Sequence, residues 1–218
     1  AEKAMLEATN GVNTHKGALF SMGLAVVAAA YEEKKAAANK EERGKEREEE
    51  YLSSLQLTIK ALAASFPDTS GTHGSKAKQL SNGTTTIKGA LDNAHEKLFA
   101  EWLPFYNERR KSHDAHALHK TLLRIMCDLD DTNVIYRTNV VTAEEVKQEA
   151  RALLASFEEA YAAEDKEKCA SAIEEKCASA ELLALKDMDR RYTERNISPG
   201  GAADMLSLTV FIGSIQTY

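Results

Sequence analysis

Three short stretches combine residue types that bind charge. The first is "NTHKG", residues 13–17, directly before the apolar run "ALFSMGLAVVAAAY" at 18–31. Asn13 or Thr14 suits a helix N-cap, which puts His15 and Lys16 into the first turn. Cations there oppose the helix dipole at a cost of a few tenths of a kcal/mol. A bound phosphate would reverse that sign, with Gly11 and Gly17 opening the backbone to it. The bland reading has both side chains facing water. The second stretch is "SPGGAAD", residues 198–204. Ser198 suits an N-cap and Pro199 the first helical position. Gly200 and Gly201 each cost up to about 1 kcal/mol against alanine in a helix. They imply either a helix start stripped bare for a phosphate, with Asp204 one turn on, or tight helix–helix packing. The third is "CDLDDTN", residues 127–133. Asp128, Asp130 and Asp131 crowd a C-terminal helix end, where the dipole is already negative. Mg²⁺ held by Asp130, Asp131 and Asn133 together with substrate phosphates would relieve the repulsion. Arg137, one or two turns on, could hold a phosphate oxygen. Alternatively, Asp131 or Thr132 caps the next helix.

Other chemistry is weaker or missing. His113, His116 and His119 recur every three residues beside Asp114, but each step of three turns the helix face, so a zinc site is disfavoured. No P-loop, Rossmann signature or nucleophile motif occurs. Cys127, Cys169 and Cys177 form no CxxC and read as reduced thiols of a cytoplasmic protein. The net charge of -6 comes with no basic stripe, so nucleic acid is not an expected partner. The run 18–31 is too short to span a bilayer, so no membrane association is expected either.

The elements that must position these stretches are helical. Hydrophobic residues make up 43% and charged residues 28% of the 218, aromatics only 6%, and there are three prolines, which favours helices around a sizeable core. Residues 1–9 read as a helix end. The helix at 15–31 is apolar nearly all round, which predicts a central place in a bundle. Residues 32–50 predict an exposed charged helix with a break near Gly44. Residues 51–66 return to a 3.6 period, and 67–76 are loop; "LSNGTTTIKGAL" is open between a turn and a bent helix. Residues 92–110 predict a helix interrupted near Pro104. Ser112 is expected to cap a helix to about Leu129, with Leu118, Leu122, Leu123, Ile125, Met126 and Leu129 as its apolar face. Thr142 and Glu145 form a capping box for a helix to about Ala163. Residues 164–196 are helical again and carry "EKCASA" twice, eight residues apart, which reads as packing. A last helix opens at Ser198. No period-two strand is found. The expected fold is all-α, a single bundle-like domain over 1–218.

At these same places the sequence resembles the triphosphoribosyl-dephospho-CoA synthases. The matching residues are "GVNTHKGALFSMGL" (11–24), "THG" (72–74), "LDDTNVIYR" (129–137) and "NISPGGAADMLSLTVF" (196–211). The resemblance implies an all-α transferase that moves the 5-triphosphoribosyl group of ATP to the 2′-hydroxyl of 3′-dephospho-CoA and releases adenine. The product would be the prosthetic-group precursor for the acyl carrier subunit of citrate lyase or malonate decarboxylase. It implies phosphate contacts from Asn13, Thr14, Lys16, Arg137, Ser198, Gly200 and Gly201. Mg²⁺ would sit on Asp130, Asp131 and Asn133, and His15, His73 or Asp204 would transfer a proton. Members of the family carry a further N-terminal segment with a Pro-Lys-Pro-Gly-type motif. That implies an excerpted sequence or a separate N-terminal chain; a homo-oligomer is the other partner considered. Ser75 and "KGAL" (88–91) replace the acidic residues usual there. They leave an alternative: a weakened or non-enzymatic nucleotide- or CoA-binding relative working with a partner chain.

Overall fold

In the computed structural model, residues 7, 16–38, 45–65, 95–163 and 170–216 are described. Among them the fold is all-α and contains no strand, as the absence of any period-two run predicts. The helices are α1 (Lys16–Ala38), α2 (Lys45–Ser65), α3 (Leu103–Lys111), α4 (Ala117–Asp128), α5 (Thr132–Arg137), α6 (Val140–Ala163), α7 (Ala170–Glu194) and α8 (Gly200–Ile215). A π-wound turn, Leu98–Trp102, leads into α3. No helix among the described residues is long and apolar enough to cross a membrane.

The central helix is α8, not α1. It packs against α1, α3, α4 and α5, and buries Ala202, Met205, Leu208, Thr209, Ile212 and Gly213. Gly213 lets the Tyr106 ring of α3 come in: an alanine Cβ there would lie 3.0 Å from Cε1. The α1 helix buries one side only, through Ser21, Leu24, Ala25, Ala28, Ala29 and Glu32, while Val26, Val27 and Tyr31 are exposed. Its even spread of apolar residues hid which side was covered. One hydrophobic cluster joins residues of α1, α2, α4, α5, α6, α7 and α8 around Trp102 and Leu103.

Several expected boundaries move, each for a visible reason. Pro104 does not break its helix. The N–H of Leu103 bonds Leu98 O in a widened turn, and Pro104 falls at the start of the α-helix that follows, where a missing N–H costs little. Ser112 ends α3 instead of starting α4: its hydroxyl donates to Arg109 O at 3.0 Å. The turn runs through His113, in the left-handed region at φ 56°, and α4 begins at Ala117. Leu118 then faces solvent. Helix α6 begins at Val140, and Asn139 Oδ1 accepts the Thr142 N–H at 2.9 Å, so Asn139 takes the capping role expected of Thr142. The ambiguous stretch "LSNGTTTIKGAL" and the first copy of "EKCASA" up to Cys169 lie outside the described residues.

Candidate functional site

Two of the three charge-binding stretches meet. Asp131 is the N-cap of α5, its Oδ1 accepting the N–H of Asn133 at 2.9 Å and of Val134 at 3.3 Å. Seventy-one positions further on, the N–H of Ala202 donates to Oδ2 of the same carboxylate at 2.9 Å, and the Gly201 N–H helps to hold its charge. One buried carboxylate therefore caps two helices. The cap expected from Ser198 is absent. Pro199 is the N-cap of α8 and makes no side-chain bond there, so the anion at this helix start is supplied from α5.

The glycines follow from that approach. A Cβ on Gly201 would lie 3.0–3.1 Å from all three carboxyl atoms of Asp131, and one on Gly200 would lie 2.8 Å from Asn133 Nδ2. They read as packing glycines, the second of the two readings the sequence allowed. Burial pushes the Asp131 carboxyl up, and the four backbone N–H bonds from Ala202, Asn133, Val134 and Gly201 pull it down without fully offsetting burial.

The remaining acids of "CDLDD" also have protein partners. Asp130 is exposed and paired with Lys147 of α6. Asp128 accepts the indole N–H of Trp102 at 3.2 Å and faces Arg124 Nε at 3.3 Å. The repulsion that suggested a cation is thus relieved by Lys147, Arg124, Trp102 and backbone amides. Asp130 and Asp131 engage different elements, and the set Asp130, Asp131 and Asn133 does not fit Mg²⁺ as arranged. Among the described residues, no group of three or more His, Cys, Asp or Glu side chains is placed for a metal.

Four of the other candidates sit on or just before α1, α5 and α8. Asp204 is half-buried in the second turn of α8, and Ser198 is half-buried just before it. Arg137 is exposed in the last turn of α5. Lys16 is the first residue of α1, a helix that packs on α8. Asn13, Thr14, His15 and His73 lie outside the described residues.

A second polar cluster escaped the sequence reading. Lys120, buried on α4, meets Asp114 at 3.0 Å and Glu181 of α7 at 2.9 Å. Arg109 joins through Asp114 at 3.5 Å and reaches Glu158 of α6 at 2.6 Å. Burial raises the Asp114 carboxyl, but the His116 N–H, Lys120 and Arg109 outweigh it and leave the group below the ordinary carboxylate value. The signal was available: Lys120, Leu123 and Cys127 share one α4 stripe, and a lysine on a buried stripe requires an acid. His116 and His119 stack edge to face at 5.4 Å on this side of the molecule.

Residues 1–218 match the family described as ATP:dephospho-CoA triphosphoribosyl transferase (CitG). The chain is 31% identical to the protein named CitXG of Haemophilus influenzae, over 99% of this chain and 43% of that one. It is 30% identical to the probable 2-(5″-triphosphoribosyl)-3′-dephosphocoenzyme-A synthase of Salmonella gallinarum, over 97% of this chain and 64% of that one. With the CitXG protein of Leuconostoc mesenteroides it shares 29% identity, over 99% of this chain and 42% of that one. The chain thus spans between about two fifths and two thirds of the length of these relatives. No solved structure matches it. The chain belongs to the ATP:dephospho-CoA triphosphoribosyl transferase family.

Proposed function

We propose that this member of the family transfers the 5-triphosphoribosyl group of ATP to the 2′-hydroxyl of 3′-dephospho-CoA. A bond forms between the 2′-oxygen and ribose C1′ as the C1′–N9 bond of ATP breaks. The hydroxyl proton ends on adenine, which leaves, and the triphosphate stays intact on C5′. The transition state carries oxocarbenium character at C1′, as in other glycosyl transfers.

The observation that carries this reading is the family match across residues 1–218. Lys16 and Arg137 are the cations proposed to hold phosphates, with Asn13, Thr14 and Ser198 as neutral contacts. His15, His73 or Asp204 takes the hydroxyl proton. Gly200 and Gly201 act by letting Asn133 and Asp131 close on the start of α8. Mg²⁺ is proposed as the counterion of the substrate triphosphate and is not assigned to the Asp131 carboxylate. The product serves as the prosthetic-group precursor for an acyl carrier subunit of citrate lyase or malonate decarboxylase, made in the cytoplasm. The test is chromatography of the protein incubated with Mg²⁺, ATP and dephospho-CoA. Adenine released only when dephospho-CoA is present supports the transferase. Nucleotide binding without adenine favours the weakened binding relative, and inorganic phosphate points to a hydrolase.

A further inference from the structure

The start of α8 has the appearance of a phosphate site in sequence, but three of its first N–H groups already have partners within the chain. The Gly200 N–H donates to Ser198 O at 2.8 Å, and the Ala203 N–H to Pro199 O at 3.1 Å. Between them, Ala202 bonds Asp131 Oδ2 at 2.9 Å, and the Gly201 N–H helps to hold the charge on the same carboxylate. On α5, Asn133 and Val134 donate to Oδ1, and the Ile135 N–H bonds Asp131 O at 3.0 Å. The carboxylate lies flat against the Gly201 Cα, with all three of its atoms 3.0–3.1 Å from where a Cβ would stand. It is 5% exposed.

We infer that Asp131 is a positioning residue, the resident anion shared by the starts of α5 and α8; it is not a metal ligand, and it holds the α8 amide of Ala202 in place of a substrate phosphate. Helix starts attract anions because unpaired N–H groups and the dipole point at them. Here a carboxylate of the chain satisfies both, and a phosphate would have to displace it. The triphosphate of the proposed reaction is therefore held by side-chain cations, and the joint sets where Asn133 and the first turns of α8 stand relative to them. That last consequence rests on the transferase reading; the joint itself does not.

Two variants separate the roles. Asp131→Asn keeps the shape but turns an N–H₂ toward one helix start. Asp131→Ser keeps a good cap for α5 and is too short to reach α8. Amide hydrogen exchange followed by NMR is expected to show protection at Ala202 falling at least tenfold in Asp131→Ser, with Asn133 and Val134 retained. Unchanged protection at Ala202 would overturn the shared cap. In the wild-type protein, Mn²⁺ added without nucleotide is expected to leave the Asn133 and Ala202 amide signals visible. Their selective broadening, relieved in Asp131→Asn, would overturn the assignment in favour of a metal ligand. In the adenine-release assay, the Mg²⁺ concentration for half-maximal rate is expected to be the same in Asp131→Ser as in wild type. A rise of roughly 10–100-fold, the size expected on losing a metal contact, would also overturn it. Wild-type protein that releases no adenine refutes the transferase reading alone, because exchange and broadening remain readable without turnover.

Discussion

Lys120→Met would test the polar cluster that crosses the core. The Lys120 side chain is 2% exposed, and its partners Glu181 and Asp114 are 3% and 10% exposed. Methionine matches the stem of the lysine but removes the charge, leaving Glu181 buried without its cation. Removing one member of a buried pair costs about 3–5 kcal/mol, chiefly through the stranded charge. Asp114 suffers less, because Arg109 and the His116 N–H remain beside it. For a domain of this size each kcal/mol lowers Tm by about 2–4 °C, so a fall of roughly 6–20 °C is expected. Urea denaturation at pH 7, followed by circular dichroism, would measure the loss in midpoint at constant slope. The double variant Lys120→Met/Glu181→Leu removes both charges and is expected to recover most of that loss, since a buried pair can be replaced by apolar groups at little net cost. A loss below about 1 kcal/mol for the single variant would show that water reaches the cluster. A double variant no better than the sum of the singles would refute the pairing of Lys120 with Glu181.

The two neighbouring glycines should behave differently. Gly201→Ala pushes a Cβ against a carboxylate held by four N–H groups and is expected to cost about 1–2 kcal/mol, whereas Gly200→Ala meets only the end of the Asn133 side chain and should stay within about 0.5 kcal/mol of wild type, both by chemical denaturation. Gly213→Ala, 3.0 Å from the Tyr106 ring and 3.1 Å from Asn107 Oδ1, should lose about 1 kcal/mol net of the helix propensity it gains. Burial lowers the pKa of His119 and the nearby His116 lowers it further, while Glu181 opposes them. The folded value therefore lies below the ordinary 6.5, so the stability His119 contributes is complete above that pH and is lost as pH falls through the folded value. His119→Asn should flatten the stability profile below that pH, measured as Tm against pH; an unchanged slope would assign it to another group.

The helices were legible because their signals are local. Apolar periodicity placed α2, α4, α6, α7 and α8, and the scarcity of proline and of period-two runs excluded a sheet. The boundaries were not, because caps at Asn139 and Asp131 compete with equally good candidates at Thr142 and Ser198. Their choice depends on which side chain tertiary packing brings near. The same limit hid the joint. "DDTN" and "SPGG" each looked like an electrostatic fault that a ligand should repair. Each instead repairs the other: one carries surplus negative charge and the other a helix start without a side-chain cap. Nothing local tells that two stretches seventy residues apart are complementary. The partner of Asp130, Lys147, was equally invisible, since it sits on an ordinary solvated stretch of α6.

The most direct test of the proposed reaction is the mass of the CoA product. Incubated with ATP and dephospho-CoA and analysed by mass spectrometry, the protein is expected to yield dephospho-CoA enlarged by one ribose carrying an intact triphosphate. Using ATP labelled with ¹³C in the ribose, the label should move wholly into that product while adenine is released unlabelled. Label remaining in ADP or AMP, or a CoA product enlarged only by phosphate, would contradict the transferase and assign phosphoryl chemistry instead.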